Sequence, residues 1–134
     1  VNDRHPDHGR ASQLISEACF YSGLLKINTE LDGVEQKHWR PNAVYHYIQD
    51  RYIKPDFVVD VSEFADKKME AILAFGSQFY NPNSTEPKTP ISGEDFLDAV
   101  KSRMISFGRD IGVRYAEGFT TERVVGVNDI TKLI

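Results

Sequence analysis

Cysteine occurs once in the 134 residues, at Cys19, which excludes an internal disulfide framework and a cysteine-rich zinc module. Long apolar runs are missing too: the longest aliphatic or aromatic stretches are a few residues, against the roughly 20 that a bilayer-spanning helix needs. No block of five like charges occurs, and a net charge of −4 argues against a nucleic-acid or anionic-membrane surface. There is no G-x-G-x-x-G and no P-loop, which disfavours a dinucleotide or nucleoside-triphosphate cradle. The absence of G-x-S-x-G removes the nucleophile-elbow hydrolases. No internal repeat, low-complexity tract or interdomain linker is visible. The single Asn83-Ser84-Thr85 sequon stands without a secretory signal, so a reducing, cytoplasmic setting is expected, with neither nucleic acid nor membrane as partner.

What remains is an ordinary globular composition, 40% hydrophobic and 27% charged, in one domain's length of chain. From His8 to Leu25 the apolar residues Ala11, Leu14, Ile15, Ala18 and Leu25 keep mostly helical spacing, with Asp7 expected as the N-cap. That pattern also predicts a buried, inert Cys19 thiol. Asn28 to Lys37 is polar and reads as a loop turning at Asp32-Gly33. Val44 to Ile48 is β-branched and aromatic, as in a strand. Phe57-Val58-Val59-Asp60-Val61 is nearly continuous in apolar residues, which predicts a central strand covered on both faces. A helix capped by Ser62 is then expected through Met69 and Ile72 towards Phe79. Three prolines make residues 81–90 a loop. Ser92-Gly93-Glu94-Asp95 resembles a capping box ahead of the cleanest helical pattern, Phe96, Leu97, Val100, Met104, Phe107 and Ile111. Val113 to Phe119 looks extended. The alternation is that of an α/β protein.

Chemistry concentrates in Asp3-Arg4-His5-Pro6-Asp7-His8-Gly9-Arg10 at the head of the first helix. Imidazole is the commonest protein metal ligand and is suited to proton transfer near neutral pH. A helix N-terminus adds free N–H groups and a partial positive charge. Two readings stand open: a loop-to-helix junction bearing a site, or a helix start in which Asp7 caps, Pro6 stiffens and both histidines are solvated. A catalytic zinc site takes three protein ligands, and the local set of His5, Asp7 and His8 falls short, because neighbouring side chains diverge. His38 and His46 are the only other histidines. His46 reads as a satisfied histidine on a strand face, and His38 as lining a surface or pocket. Asp60 and Ser62 read as a strand end and helix cap, against a site at the carboxyl end of a strand. Gln78 and Tyr80 stand where a pocket could be lined. In an α/β protein a strand should precede His5, and only residues 1–3 do, so the chain reads as truncated.

These residues also carry a resemblance. His5-Pro6-Asp7-His8-Gly9, leading into Ala18-Cys19-Phe20-Tyr21-Ser22-Gly23-Leu24, resembles the second motif of the LmbE/PIG-L family of metal-dependent N-deacetylases. Lys54 to Ser62, Lys68 to Ile72, Ser77-Gln78-Phe79-Tyr80 and Tyr115-Ala116-Glu117-Gly118-Phe119 continue it over nearly the whole chain. Within the family the likeness is greatest to the N-acetylglucosaminyl-malate deacetylases of bacillithiol biosynthesis. The resemblance implies the carboxyl-terminal portion of a Rossmann-like, three-layer α/β sandwich: a single but incomplete domain over 1–134, its first strand and H-P-D-D motif missing. It implies that His8 is a ligand of zinc or another divalent metal. It implies that His5 faces the reacting carbonyl and that Asp7 orients His5 and sustains its charge.

The implied reaction is hydrolysis of the acetamide of a GlcNAc-type sugar by a metal-activated water. The implied partners are the amino-sugar substrate, the missing amino-terminal segment of the same enzyme and further copies of the chain in a homo-oligomer. The isolated chain is expected to be inactive and to bind zinc weakly. Two alternatives compete: a non-catalytic α/β interaction module without a metal site, and an unrelated metal-binding protein using His5, His8 and His46.

Overall fold

The computed structural model describes residues 3–134. The elements are α1 (Pro6–Tyr21), β1 (Thr29–Leu31), β2 (Val34–Gln36), β3 (Tyr45–Tyr47), β4 (Phe57–Asp60), α2 (Ala65–Leu73), α3 (Glu94–Asp110) and β5 (Ala116–Thr121). Short 3-10 turns occupy Ser62–Phe64 and Ile130–Lys132. The chain is α/β, with a two-stranded sheet β1-β2 and a three-stranded sheet in the order β3-β5-β4. No helix among the described residues is long and apolar enough to cross a membrane. The chain divides into two compact units, residues 3–56 with 119–130, and residues 57–118 with 131–134.

In the first unit α1 starts where His5 and Pro6 permit. His5 is the N-cap, its Nδ1 accepting the Asp7 N–H, and Pro6 fills the first helical position, where a missing N–H costs nothing. Asp7 therefore stands inside the first turn and is not the cap. The helix stops at Tyr21, shorter than the apolar pattern suggested, with the Ser22 N–H closing on Ala18 O. None of its residues is buried, and Cys19 is half-buried rather than buried. Residues 28–37, expected as a loop, form an antiparallel hairpin instead. Asp32 and Gly33 take positive φ values of 53° and 78°, the left-handed pair that a two-residue hairpin turn requires. β3 pairs antiparallel with the end of β5, Tyr45 opposite Thr121, His46 opposite Thr120 and Tyr47 opposite Phe119.

In the second unit α3 follows the sequence pattern closely, burying Val100, Met104, Phe107 and Gly108. Val100 and Met104 meet Ala65 and Met69 of α2, with Val61, Ile72, Phe96, Leu97 and Tyr115 packed around them. Each large side chain taken out of water there contributes roughly 1.5–3 kcal/mol. Gly108 is required by close approach: a Cβ would lie 2.7 Å from Val113 O and 3.0 Å from Arg114 C.

Three expectations fail locally. Among the described residues β4 is the edge of the three-stranded sheet, with Val59 and Asp60 exposed, so its apolar run does not mark two-sided burial here. Ser62 opens a 3-10 turn, and α2 starts at Ala65 behind Phe64 with no side-chain cap. Gly93, not Ser92, caps α3, because the Ser92 hydroxyl is spent on Thr89 O and on the Thr89 N–H.

Candidate functional site

The first turn of α1 gathers the three expected residues. The His5 and His8 rings lie 5.4 Å apart between centroids, tilted by 39°. His5 Nδ1 accepts the Asp7 N–H at 3.2 Å, so that nitrogen carries no proton and the Asp7 carboxylate 3.7 Å away is not yet ion-paired with it. Asp7 Oδ1 accepts from Arg10 Nη1 at 3.1 Å. His5 and Asp7 are thus neighbours on exposed backbone, one capping the helix and the other paired along it.

His8 is held differently. Its Nδ1 lies 2.5 Å from Asp3 Oδ2, and the Asp3 side chain is only 10% exposed. Burial alone would raise the Asp3 carboxyl, but the His8 hydrogen bond and the N–H groups of Arg51 and Arg4 outweigh it and hold the group down at about 2. Asp3 was not singled out from sequence; its partners stand 5 and 48 residues away.

His8 lines a cavity of about 270 Å³ with Asp3, Ala11, Ser12, Ile15 and His46 among its walls. His8, Ser12 and Ile15 share one face of α1 by helical spacing. His46 is 14% exposed, with its ring nitrogens engaged: Nδ1 is 2.9 Å from Ser12 Oγ, and Nε2 is 3.0 Å from Glu122 Oε1 and 3.3 Å from Ser16 Oγ. Ser16 also donates to Glu122. A Ser–His–Glu series of this kind suggests a nucleophile, but Ser12 sits mid-helix, where main-chain N–H groups are taken by the helix and cannot serve a tetrahedral oxyanion. The set staples α1 to β3 and to the residue after β5.

The Ser16 hydroxyl first, and the His46 ring second, keep Glu122 below the usual 4.5. A depressed carboxyl contributes stability above its unfolded value, which is lost as pH falls through the folded value. Glu122→Gln should therefore flatten the loss of stability below pH 4.5, and denaturant titrations across that acid range check it.

The remaining candidates disperse. His38 is exposed. Asp60 Oδ1 accepts the Ser62 N–H at 2.9 Å and is kept low by Ser62, as expected of a strand end. Tyr80, pushed up by its hydrogen bond to Glu94, lines a separate cavity of about 370 Å³ under the proline loop. The Gln78 N–H closes a turn on Phe75 O, and its side chain is not among those lining that cavity. Among the described residues no cluster of three or more His, Cys, Asp or Glu side chains could hold a metal ion. What the geometry fits is one arm of a centre: an imidazole at a cavity with one nitrogen tied to a carboxylate, the usual second partner of a metal-ligating histidine.

No protein-family profile matches the chain. Over 115 residues it is 29% identical to the diacetylchitobiose deacetylase of Thermococcus kodakarensis, a match covering 85% of this chain and 38% of that one. The crystal structure of a conserved protein from Thermus thermophilus superposes with a TM-score of 0.73 at 31% identity, over 95% of this chain and 51% of that one. The chain therefore spans about half the length of the solved relative and less of the curated one, with which it shares a fold and a sequence similarity respectively.

Proposed function

We propose that this chain forms one wall of the active site of a sugar N-deacetylase of the LmbE/PIG-L kind, hydrolysing the acetamide of a GlcNAc-type substrate. The observation that carries the reading is His8, set on a cavity and tied through Nδ1 to Asp3, inside a chain similar to a diacetylchitobiose deacetylase. Zinc, or another divalent ion, would be held by His8 together with ligands on polypeptide equivalent to the part of the relatives beyond the match. Such an ion supplies carbonyl polarisation and a hydroxide near neutral pH. The motif resemblance supports N-acetylglucosaminyl-malate, in bacillithiol biosynthesis, as the particular substrate, and the single cysteine supports a reducing, cytoplasmic setting.

The chain's own residues supply the rest of the chemistry at this wall. His5, at the helix start, would carry a proton on Nε2 while Nδ1 accepts from Asp7 N–H. Protonated on both nitrogens, it would release that bond and turn Nδ1 to the Asp7 carboxylate, now 3.7 Å off. In that state His5 stabilises the oxyanion of the attacked acetamide and delivers a proton to the leaving amine. Asp7 then balances the charge, and Arg10, bound to the same carboxylate, limits where it can swing. On α1, Leu14, Ile15 and Phe20 are all more than half exposed. That surface calls for cover by the additional polypeptide or by further copies of the chain.

The test is acetate release from N-acetylglucosamine and its malate glycoside. It compares the chain alone with the chain joined to a segment equivalent to the uncovered half of the Thermus protein, each with and without zinc. Zinc-dependent turnover by the joined protein only is the expected outcome. No turnover by either, with folding intact, would favour the non-catalytic interaction module.

A further inference from the structure

We propose that Asp3 is the positioning residue for His8: it fixes the ring's tautomer and aim so that Nε2, and not Nδ1, is the atom offered to a metal ion. The inference rests on the reading of His8 as a metal arm and names the group that makes it one.

The geometry comes from both ends of the carboxylate. Asp3 Oδ2 lies 2.5 Å from His8 Nδ1, within hydrogen-bond reach of that nitrogen. Asp3 Oδ1 accepts the Arg51 N–H at 3.1 Å, so the carboxylate cannot rotate away without also breaking that main-chain bond. A second staple, Arg4 Nε to Asp50 Oδ2 at 3.0 Å, joins the same two segments, one residue after Asp3 and one before Arg51. The carboxylate is therefore seated on backbone while the imidazole is 38% exposed at the cavity. An ionised carboxylate only accepts, so Nδ1 must donate, and a neutral ring then keeps its lone pair on Nε2. Two tautomers close in energy in water become one. Metal-ligating histidines are prepared in this way, by a partner that takes the other N–H and raises the basicity of the ligating nitrogen. The free main-chain groups of the helix start could not do this, since they are N–H donors.

The experiment uses the full chain, labelled with ¹⁵N, in mildly alkaline buffer where imidazoles are neutral. Long-range ¹H–¹⁵N correlations should show His8 with a protonated Nδ1 and a bare Nε2. The opposite tautomer would overturn the inference outright. Asp3→Asn keeps an oxygen for the Arg51 N–H but removes the charge. It should let both tautomers appear and, in the joined protein, weaken Zn²⁺ binding by about 10–100-fold. An unchanged spectrum and affinity in this variant would also overturn it. Zn²⁺ added to the wild-type joined protein, which carries the ligands that the chain alone lacks, reads the other claim. If His8 shows the expected tautomer but does not respond to the ion, the metal-arm reading falls while Asp3's hold on the ring stands.

Discussion

His8→Ala is expected to bring zinc-dependent acetate release by the joined protein to background, and His5→Ala to lower kcat by about 10²–10³-fold with KM little changed. The two losses differ in kind. His8 is argued to be an arm of the metal centre, so removing it removes the ion's chemistry along with the ion. His5 caps α1 through Nδ1 beside Asp7, and its effect is on charge and protons that develop only in the transition state. His38→Ala is the control, because that residue is exposed and does not line the cavity. Steady-state kinetics and bound-zinc analysis on the three variants separate the outcomes. His8→Ala should lose metal and rate, His5→Ala rate alone, and His38→Ala neither.

The largest stability effect is expected at Phe107. Its side chain is 2% exposed on the buried face of α3, and Phe107→Ala should cost about 3–5 kcal/mol, much of the 5–15 that a domain commonly has. The transfer term and the cavity left behind both act, because Gly108 beside it presses against the backbone of Val113 and Arg114 and leaves little freedom to collapse. Phe75→Ala makes the contrast. The same residue type is 60% exposed there, and the change should stay within about 0.5 kcal/mol. Urea titrations read both as midpoint shifts at constant slope.

How far these features are visible in the chain's own letters depends on the distance over which their causes act. α3 is legible because Phe96, Val100, Met104 and Phe107 step along one face, and that face meets α2. The β1-β2 hairpin is nearly invisible, since all six strand residues are exposed and only Asp32-Gly33 betrays the turn. β4 misleads for the opposite reason. Its apolar run looks buried on both sides, but at a sheet edge only Phe57 and Val58 are partly covered. His5 displaces Asp7 as the cap because Pro6 sets the first helical position, which leaves the preceding side chain to reach back to the free N–H.

Within the site, His5, Asp7 and His8 stand together by local spacing and can be named without a structure. Asp3 could have been noticed as an acid five residues before a candidate ligand, yet its weight comes from the Arg51 N–H, 48 residues on. The Ser12, His46 and Glu122 set spans 34 and 76 residues and carries no local sign.

The most direct measurement is anomalous diffraction at the zinc edge from crystals of the joined protein. The ion is expected beside the His8 cavity, with His8 Nε2 about 2.0–2.1 Å away and Asp3 on the far nitrogen. A fully coordinated zinc ion in that protein with His8 outside its ligand sphere would contradict it.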